Sequence, residues 1–236
     1  MPLSPDERAA SIRLLDNIVW NSLAGAQARF SEGTSEARRY ARGFSAIIGF
    51  ASAEHPDFEA LAPYCEPGEH FYCGAWTGPV PVGWQVHADM TGVQMLWDAD
   101  IPAADGKFPA VPLDASHVKQ MMALVELRPP GPFARRTHEL GDYYGVFDGS
   151  RLVAMAGERM EAGPLREVSG VCTHPDFQGR GLARRLIAKI VRKEIERGQM
   201  PFLHVMRDNV HARQLYERMG FRVHQEMPLR VVSRVA

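Results

Sequence analysis

Apolar positions in residues 114–236 recur with two different periods. Val118, Met121, Met122 and Val125 follow Asp114 at helical spacing, with Asp114 as the predicted N-cap. Arg128-Pro129-Pro130-Gly131-Pro132 stops that helix, because proline lacks the amide donor and clashes with the preceding turn. Tyr143–Phe147 and Arg151–Met160 flank Asp148-Gly149, which predicts a hairpin. Arg166–Thr173 predicts a strand. The run Gly181–Arg197 predicts a helix, with Leu182, Ala183, Leu186, Ile187, Ile190, Val191 and Ile195 on one side and Gly198 as its stop. Pro201–Met206 reads as a short buried strand and Asn209–Met219 as a helix ended by Gly220. Phe221–Val232 supplies one or two closing strands. This order predicts an α/β layer with a right-handed crossover between the strands at 166 and 201.

The first half is patterned less sharply. Ile12, Leu15, Ile18, Val19 and Leu23 give Asp6–Leu23 a helical face. Phe44–Phe50, His70–Trp76 and Gly83–Trp97 look like strands. Residues 101–113, IPAADGKFPAVPL, carry three prolines and an Asp-Gly pair and read as a linker. The expected division is therefore an N-terminal α/β unit at 1–100, a linker at 101–113 and a second domain at 114–236.

Composition narrows the class. Hydrophobic residues make up 45%, charged residues 23%, and the net charge is −1. No global field draws such a chain to nucleic acid or an anionic membrane. No apolar run reaches the roughly 18 residues of a membrane span. The acidic start MPLSPDERAA lacks the apolar core of a signal peptide. Cys65, Cys73 and Cys172 form no CxxC pair, which argues against a disulfide framework or a zinc site. A cytoplasmic protein without a metal, either monomer or homodimer, is expected.

The chemistry concentrates at residues 174–185, HPDFQGRGLARR. Gly179 and Gly181 lie between a strand end and a helix start. Unpaired amides and the positive end of the helix dipole meet there. Glycines let the backbone approach a bulky anion, and Arg180, Arg184 and Arg185 add charge that pairs with phosphate. A Walker loop needs Gly-Lys-Ser/Thr, which is missing. A dinucleotide fingerprint needs a third glycine where Arg184 stands. A phosphate-bearing cofactor of another kind is expected.

Gln178-x-x-Gly181-x-Ala183 resembles the acyl-CoA pyrophosphate motif of the GNAT acetyltransferase superfamily. Asn209-x-x-Ala212-x-x-Leu215-Tyr216-Glu217-x-x-Gly220-Phe221 resembles the second signature of that superfamily, with the same spacing and a strand between. The match covers about residues 115–236 and looks most like the branch with the glycine N-acyltransferases. It implies a GNAT fold, in which a mixed, mostly antiparallel sheet is flanked by helices. A smaller, degenerate α/β domain precedes it. It also implies acetyl-CoA as cosubstrate. Pantetheine would lie along Val171, Cys172 and Thr173. The pyrophosphate would rest on Gln178, Gly179, Arg180, Gly181, Leu182, Ala183 and Arg184, with Asn209 and Tyr216 at the thiol end.

The implied reaction is attack of a primary amine, from a small molecule or amino acid, on the thioester. At pH 7 an amine with pKa near 10.4 costs about 4.6 kcal/mol to deprotonate, and an α-amino group about 1.1 kcal/mol. A base therefore helps. Glu167 stands at the base offset of the histone acetyltransferase branch; otherwise it is a sheet glutamate paired with Arg166 or Arg159. Glu158 is the rival base. Tyr216 matches the general acid, and is otherwise a core tyrosine. Asn209 caps its helix and, by resemblance, makes a polar contact to pantetheine or a bound water.

Other candidates have plainer readings. Arg180, Arg184, Arg185, Lys189, Arg192 and Lys193 suggest RNA, but the first three are accounted for by CoA phosphates and the rest by a solvated face. His174 and His211 read as capping or surface residues, and Cys172 as a buried strand residue. Thr137-His138-Glu139 is a candidate acceptor contact. Two functions remain open: an acyl-CoA-dependent N-acyltransferase, or a non-catalytic acyl-CoA-binding module on the same scaffold. The N-terminal half either walls the acceptor cleft or is a tethered module.

Overall fold

The computed structural model describes residues 4–235, so the first three residues of the N-terminal stretch lie outside it. Its helices are α1 (Pro5–Ile12), α2 (Ile18–Leu23), α3 (Phe58–Leu61), α4 (Val118–Leu127), α5 (Leu182–Glu196) and α6 (Val210–Met219). The strands of the first half are β1 (Ser31–Gly33), β2 (Ala37–Tyr40), β3 (Ile47–Phe50), β4 (His70–Gly74) and β5 (Trp84–Trp97). Those of the second are β6 (Val111–Leu113), β7 (Tyr143–Asp148), β8 (Arg151–Ala162), β9 (Leu165–Thr173), β10 (Met200–Met206) and β11 (Phe221–Arg234).

All eleven strands join one sheet, in the order β1-β2-β3-β4-β11-β5-β10-β9-β8-β7-β6. Only β3–β4 and β9–β10 pair in parallel among the described residues. The division at residue 100 therefore does not divide the sheet. β5 comes from the first half, yet it is hydrogen-bonded between β10 and β11 of the second.

The segment 101–113 is also not a loose tether. Arg192 Nη1 donates to the carbonyl of Pro102 at 2.9 Å, and Arg185 pairs with Asp105 at 2.7 Å. Phe108 and Ala110 pack on the main core. Its prolines make it extended, and α5 holds it down. Further ties join the halves: Gln27 Nε2 donates to the carbonyl of Arg159 at 2.6 Å, and Arg136 N donates to that of Gly43 at 2.7 Å.

Local signals explain the elements around the site. Ser4 and Glu7 form a capping box at α1. In α5, Leu186, Ile187, Ile190 and Val191 are completely buried against the sheet. Gly198, with φ of 76°, ends the helix in the left-handed region. Asn209 caps α6, its side chain accepting from Ala212 N at 3.2 Å. Side chains along β10 alternate. Leu203 and Val205 join the α5 core, whereas Phe202 joins the opposite core with Leu15, Ile18, Met160 and Leu165. Burying one apolar side chain contributes roughly 1.5–3 kcal/mol, so this alternation fixes which face His204 occupies.

Candidate acyl-CoA and acceptor site

β9 and β10 pair only at Leu165–Met200, Arg166–Pro201 and Glu167–Phe202. β9 continues to Thr173 and β10 to Met206 without pairing, so the strands part beyond Glu167. Within the gap β9 bulges. Met155 pairs with Cys172 and Gly157 with Ser169, which sets Gly170 and Val171 against Ala156. Gly170 has φ of 63°, and a Cβ there would lie 2.7 Å from the Tyr143 ring. Only glycine meets both demands.

A cavity of about 890 Å³ opens in this gap. One side is lined by Val171, Cys172, Thr173, Gln178, Gly179, Gly181, Leu182, Ala183, Arg184, Asn209 and Tyr216. Arg180 does not line it: its guanidinium lies over Phe177 and donates to the carbonyl of Asp176. Gly179 and Gly181 have φ of 74° and 73°, and nothing stands within 4 Å of where their Cβ atoms would be. That open backbone at the start of a fifteen-residue helix fits a pyrophosphate. Thr173 Oγ1 is buried without a protein partner at the edge where a pantetheine amide would run. The residues present thus fit CoA.

Tyr216 is 8% exposed, and its ring packs edge-on against Phe221. Burial pushes its hydroxyl up to about 12, so it holds its proton at neutral pH.

Glu167 is placed differently from a base. Its carboxylate, 1% exposed, accepts from Arg159 Nε at 2.9 Å, Arg159 Nη2 at 2.7 Å and Met160 N at 3.2 Å. A second β8 irregularity, between Glu158 and Glu161, leaves Arg159 and Met160 opposite Glu167 and permits this clasp. Burial works to raise the carboxyl, but Arg159, then His204, hold it well below the usual carboxylate range. So placed, Glu167 is a poor proton acceptor, and it does not line the cavity. The rival Glu158 is no nearer. It is buried, pairs with Arg166 at 3.0 Å and Arg197 at 3.5 Å, and does not line the cavity either. Thr137-His138-Glu139 also stays outside: Thr137 is buried and donates to the carbonyl of Phe44, and Glu139 pairs with Arg136 at 2.8 Å. The preceding Arg128–Pro132 run lines the cavity in its place.

A wall from the first half was one of the two readings of that half, but sequence patterns named none of its residues. Val19, Ile47, Tyr72 and Gly74 from the first half line it, with Met227, Leu229, Met160, Arg159 and His204. The lining contains Arg128, Arg159, Arg184 and Arg218 and neither aspartate nor glutamate. His204, a polar residue inside the run Pro201–Met206, is a signal that the buried-strand reading passed over.

Residues 143–230 match the FR47-like protein family. The chain is 35% identical over 97 residues to the N-alpha-acetyltransferase RimI of Mycobacterium tuberculosis, spanning 39% of this chain and only 60% of that protein's length. The structure of a GCN5-related N-acetyltransferase from Kribbella flavida shares the fold at 13% identity, with a TM-score of 0.60 over 96% of both chains. The structure of a GNAT-family acetyltransferase from Novosphingobium aromaticivorans has a TM-score of 0.87 and 35% identity, covering 94% of this chain and 99% of that one. Likeness at that identity over nearly the whole length places the protein in the GNAT family of acetyltransferases.

Proposed function

We propose that the protein moves an acyl group, acetyl foremost, directly from acyl-CoA to the primary amine of a small molecule or amino acid with an apolar body. One observation carries this reading. A single cavity is lined by the glycine turn at one side, by Tyr216 and His204, and by the apolar wall of Val19, Ile47, Tyr72, Met227 and Leu229 at the other. In this reading the first half of the chain walls the acceptor cleft.

The chain's own residues divide the work. Amides of Gln178–Ala183 and Arg184 hold the pyrophosphate. The parted edges of β9 and β10 receive the pantetheine arm. Bound acyl-CoA supplies a thioester carbonyl and a thiol leaving group. Tyr216 donates its hydroxyl proton toward the sulfur as charge develops there. Asn209 caps α6 and holds Tyr216 in register.

The acceptor end has apolar walls and no carboxylate, so nothing there balances several ammonium groups. Polyamines and aminosugars fit poorly. An apolar amine fits, and the cationic lining also suits a carboxylate beside the amine. An amino-acid acceptor agrees with the resemblance to the glycine N-acyltransferase branch. The three cysteines are free thiols, which suits a reducing cytoplasm, and among the described residues no helix is long and apolar enough to cross a membrane.

Release of free thiol from acetyl-CoA across an amine panel tests the proposal. Apolar primary amines and apolar amino acids should outpace polyamines, aminosugars and a peptide N-terminus. Acetyl-CoA binding with equal background release for every amine would leave only an acyl-CoA-binding module.

A further inference from the structure

CoA binding does not explain two glycines in strand positions at the acceptor end of the cavity. Gly92 of β5 stands between Met206 of β10 and Met227 of β11, and all three line the cavity. Residues directly opposite in neighbouring strands share a face, so the three form one row across the sheet. Gly92 does not have a positive φ, so its backbone suits any residue. A Cβ there would meet nothing nearer than Met227 Cγ at 3.7 Å, an ordinary contact. Neither the backbone nor the packing calls for glycine. What it leaves is a trough in the sheet between two methionine side chains, where a ligand can approach the backbone closely.

β4 supplies the second glycine. Gly74 pairs with Leu229 and is the last residue of β4. Ala75 follows with φ of 61°, the one non-glycine residue with positive φ among the described residues. Its amide donates to the carbonyl of Pro228 at 2.9 Å. Alanine is strained in that region, and the strained residue turns the chain off the sheet. Among the described residues, Met227 therefore has β5 on one side and no strand on the other. It reaches across Gly74: Met227 Cε lies 2.5 Å from where a Cβ of that glycine would be. Behind it is a recess of about 10 Å³, room for roughly one water. Val19, Gly74 and Met227 line both the recess and the cavity. Two of these walls are fixed. Gly74 is backbone, and α2 presses Val19 so close to β3 that a Cβ on Gly49 would lie 2.7 Å from Val19 Cγ1. Met227 is the movable wall, half-buried and unbranched, with three rotatable bonds.

We propose that the trough over Gly92 holds the apolar tail of the acceptor and that Met227 sets the length of tail accepted. The proposal rests on the acyl-transfer reading above and narrows its acceptor to a primary amine or amino acid with a straight alkyl chain. The amine lies toward the β9–β10 gap and the tail over β5. Met206, Gly92, Met227, Gly74, Val19 and Leu229 carry no charge, so an ammonium or carboxylate placed there would lose its hydration without a partner. The acyl chain is the other apolar group in the reaction. In the same reading it enters with pantetheine along β9 and β10, whereas the trough lies beyond β10, over β5 and β11. The tail in the trough is therefore the acceptor's. A short tail leaves Met227 across Gly74. A longer one turns Met227 toward the recess, until the fixed walls of Gly74 and Val19 stop it.

The test is kcat/KM with acetyl-CoA for straight-chain primary amines of increasing length, in wild type, Met227→Ala and Gly92→Val, with acetyl-CoA affinity and thermal midpoint measured in parallel. Wild type should gain about fourfold per methylene while the tail fills the trough, and then fall. Met227→Ala should move the optimum to longer amines. Gly92→Val fills the trough and should move it to shorter ones. Each change should alter the long-to-short ratio by about tenfold or more. Where Gly92→Val fails to fold, Met227→Ala decides alone. A length optimum shared by wild type and Met227→Ala overturns this inference and leaves the transfer reading standing. So does a Met227→Ala protein that keeps its amine optimum but changes its preference among acetyl-, butyryl- and hexanoyl-CoA, because the trough then holds the acyl chain. Transfer to no amine at all by wild type that binds acetyl-CoA overturns the transfer reading and this inference with it.

Discussion

Glu167 and Phe202 are the last residues to pair across β9 and β10, and the strands part just past them. The Glu167 carboxylate thus stands at the root of the gap, where Arg159 binds it twice at 2.9 and 2.7 Å. A buried pair of this kind contributes little against an apolar replacement but is costly to break from one side. Glu167→Gln is expected to lose about 3–5 kcal/mol in urea unfolding, because Arg159 is left as an uncompensated buried charge. The double change Arg159→Met with Glu167→Met should recover most of the stability.

The same pair sets an acid dependence. The folded carboxyl is held below its ordinary value, so its contribution is complete above the unfolded value of about 4.3 and is lost as pH falls toward the folded one. The gap between wild type and Glu167→Gln should be full at pH 7 and shrink below about pH 4. A gap independent of pH would contradict an ionised Glu167.

Glu194 predicts the opposite sign. It is completely buried on α5, neither carboxyl oxygen has a partner, and burial raises its pKa well above the ordinary value, with Glu158 adding to the effect. The charge-dependent part of its cost is absent below the unfolded pKa and takes stability away as pH rises. Glu194→Met should gain about 1–3 kcal/mol at pH 7, and the gain should shrink toward pH 4. Lower stability at pH 7 would show that the carboxyl has a partner.

Charge at the glycine turn can be separated from shape. Gly181 has φ of 73°, which asparagine and aspartate both tolerate better than other residues. Gly181→Asp should weaken acetyl-CoA binding by roughly tenfold or more relative to Gly181→Asn, since like charges would then oppose each other. Equal affinities by calorimetry would move the pyrophosphate elsewhere.

A chain starting at residue 110 lacks β5, so β10 and β11 lose the strand that joins them. That protein is expected to aggregate, as an exposed apolar sheet edge would. A soluble, fully active fragment would contradict the shared-sheet account.

The fold and the site were legible in the sequence to different degrees. The turn at 178–183 and the helices after it carry local signals, such as cap residues, left-handed glycines and helical spacing. These read directly. The insertion of β5 between β10 and β11 was not legible, because strand pairing is non-local and nothing in Trp84–Trp97 names its neighbours. The segment 101–113 read as a linker because prolines mark extended chain whether or not it is held down. Glu167 read as either base or ion-pair partner. The choice depends on a β8 irregularity that sets Arg159 against it, and no spacing rule reports that. His204 was passed over, because Pro201–Met206 read simply as a short buried strand.

Direct acyl transfer puts Tyr216 at the sulfur as proton donor. The most direct measurement is single-enzyme stoichiometry with an apolar primary amine, counting free CoA thiol and acetylated amine together in wild type and Tyr216→Phe. The account expects one acetylated amine per thiol released. It expects Tyr216→Phe to lower kcat by about 10²-fold or more, with acyl-CoA affinity and KM nearly unchanged. Thiol release without acetylated amine, or a Tyr216→Phe protein altered only in KM, would contradict it.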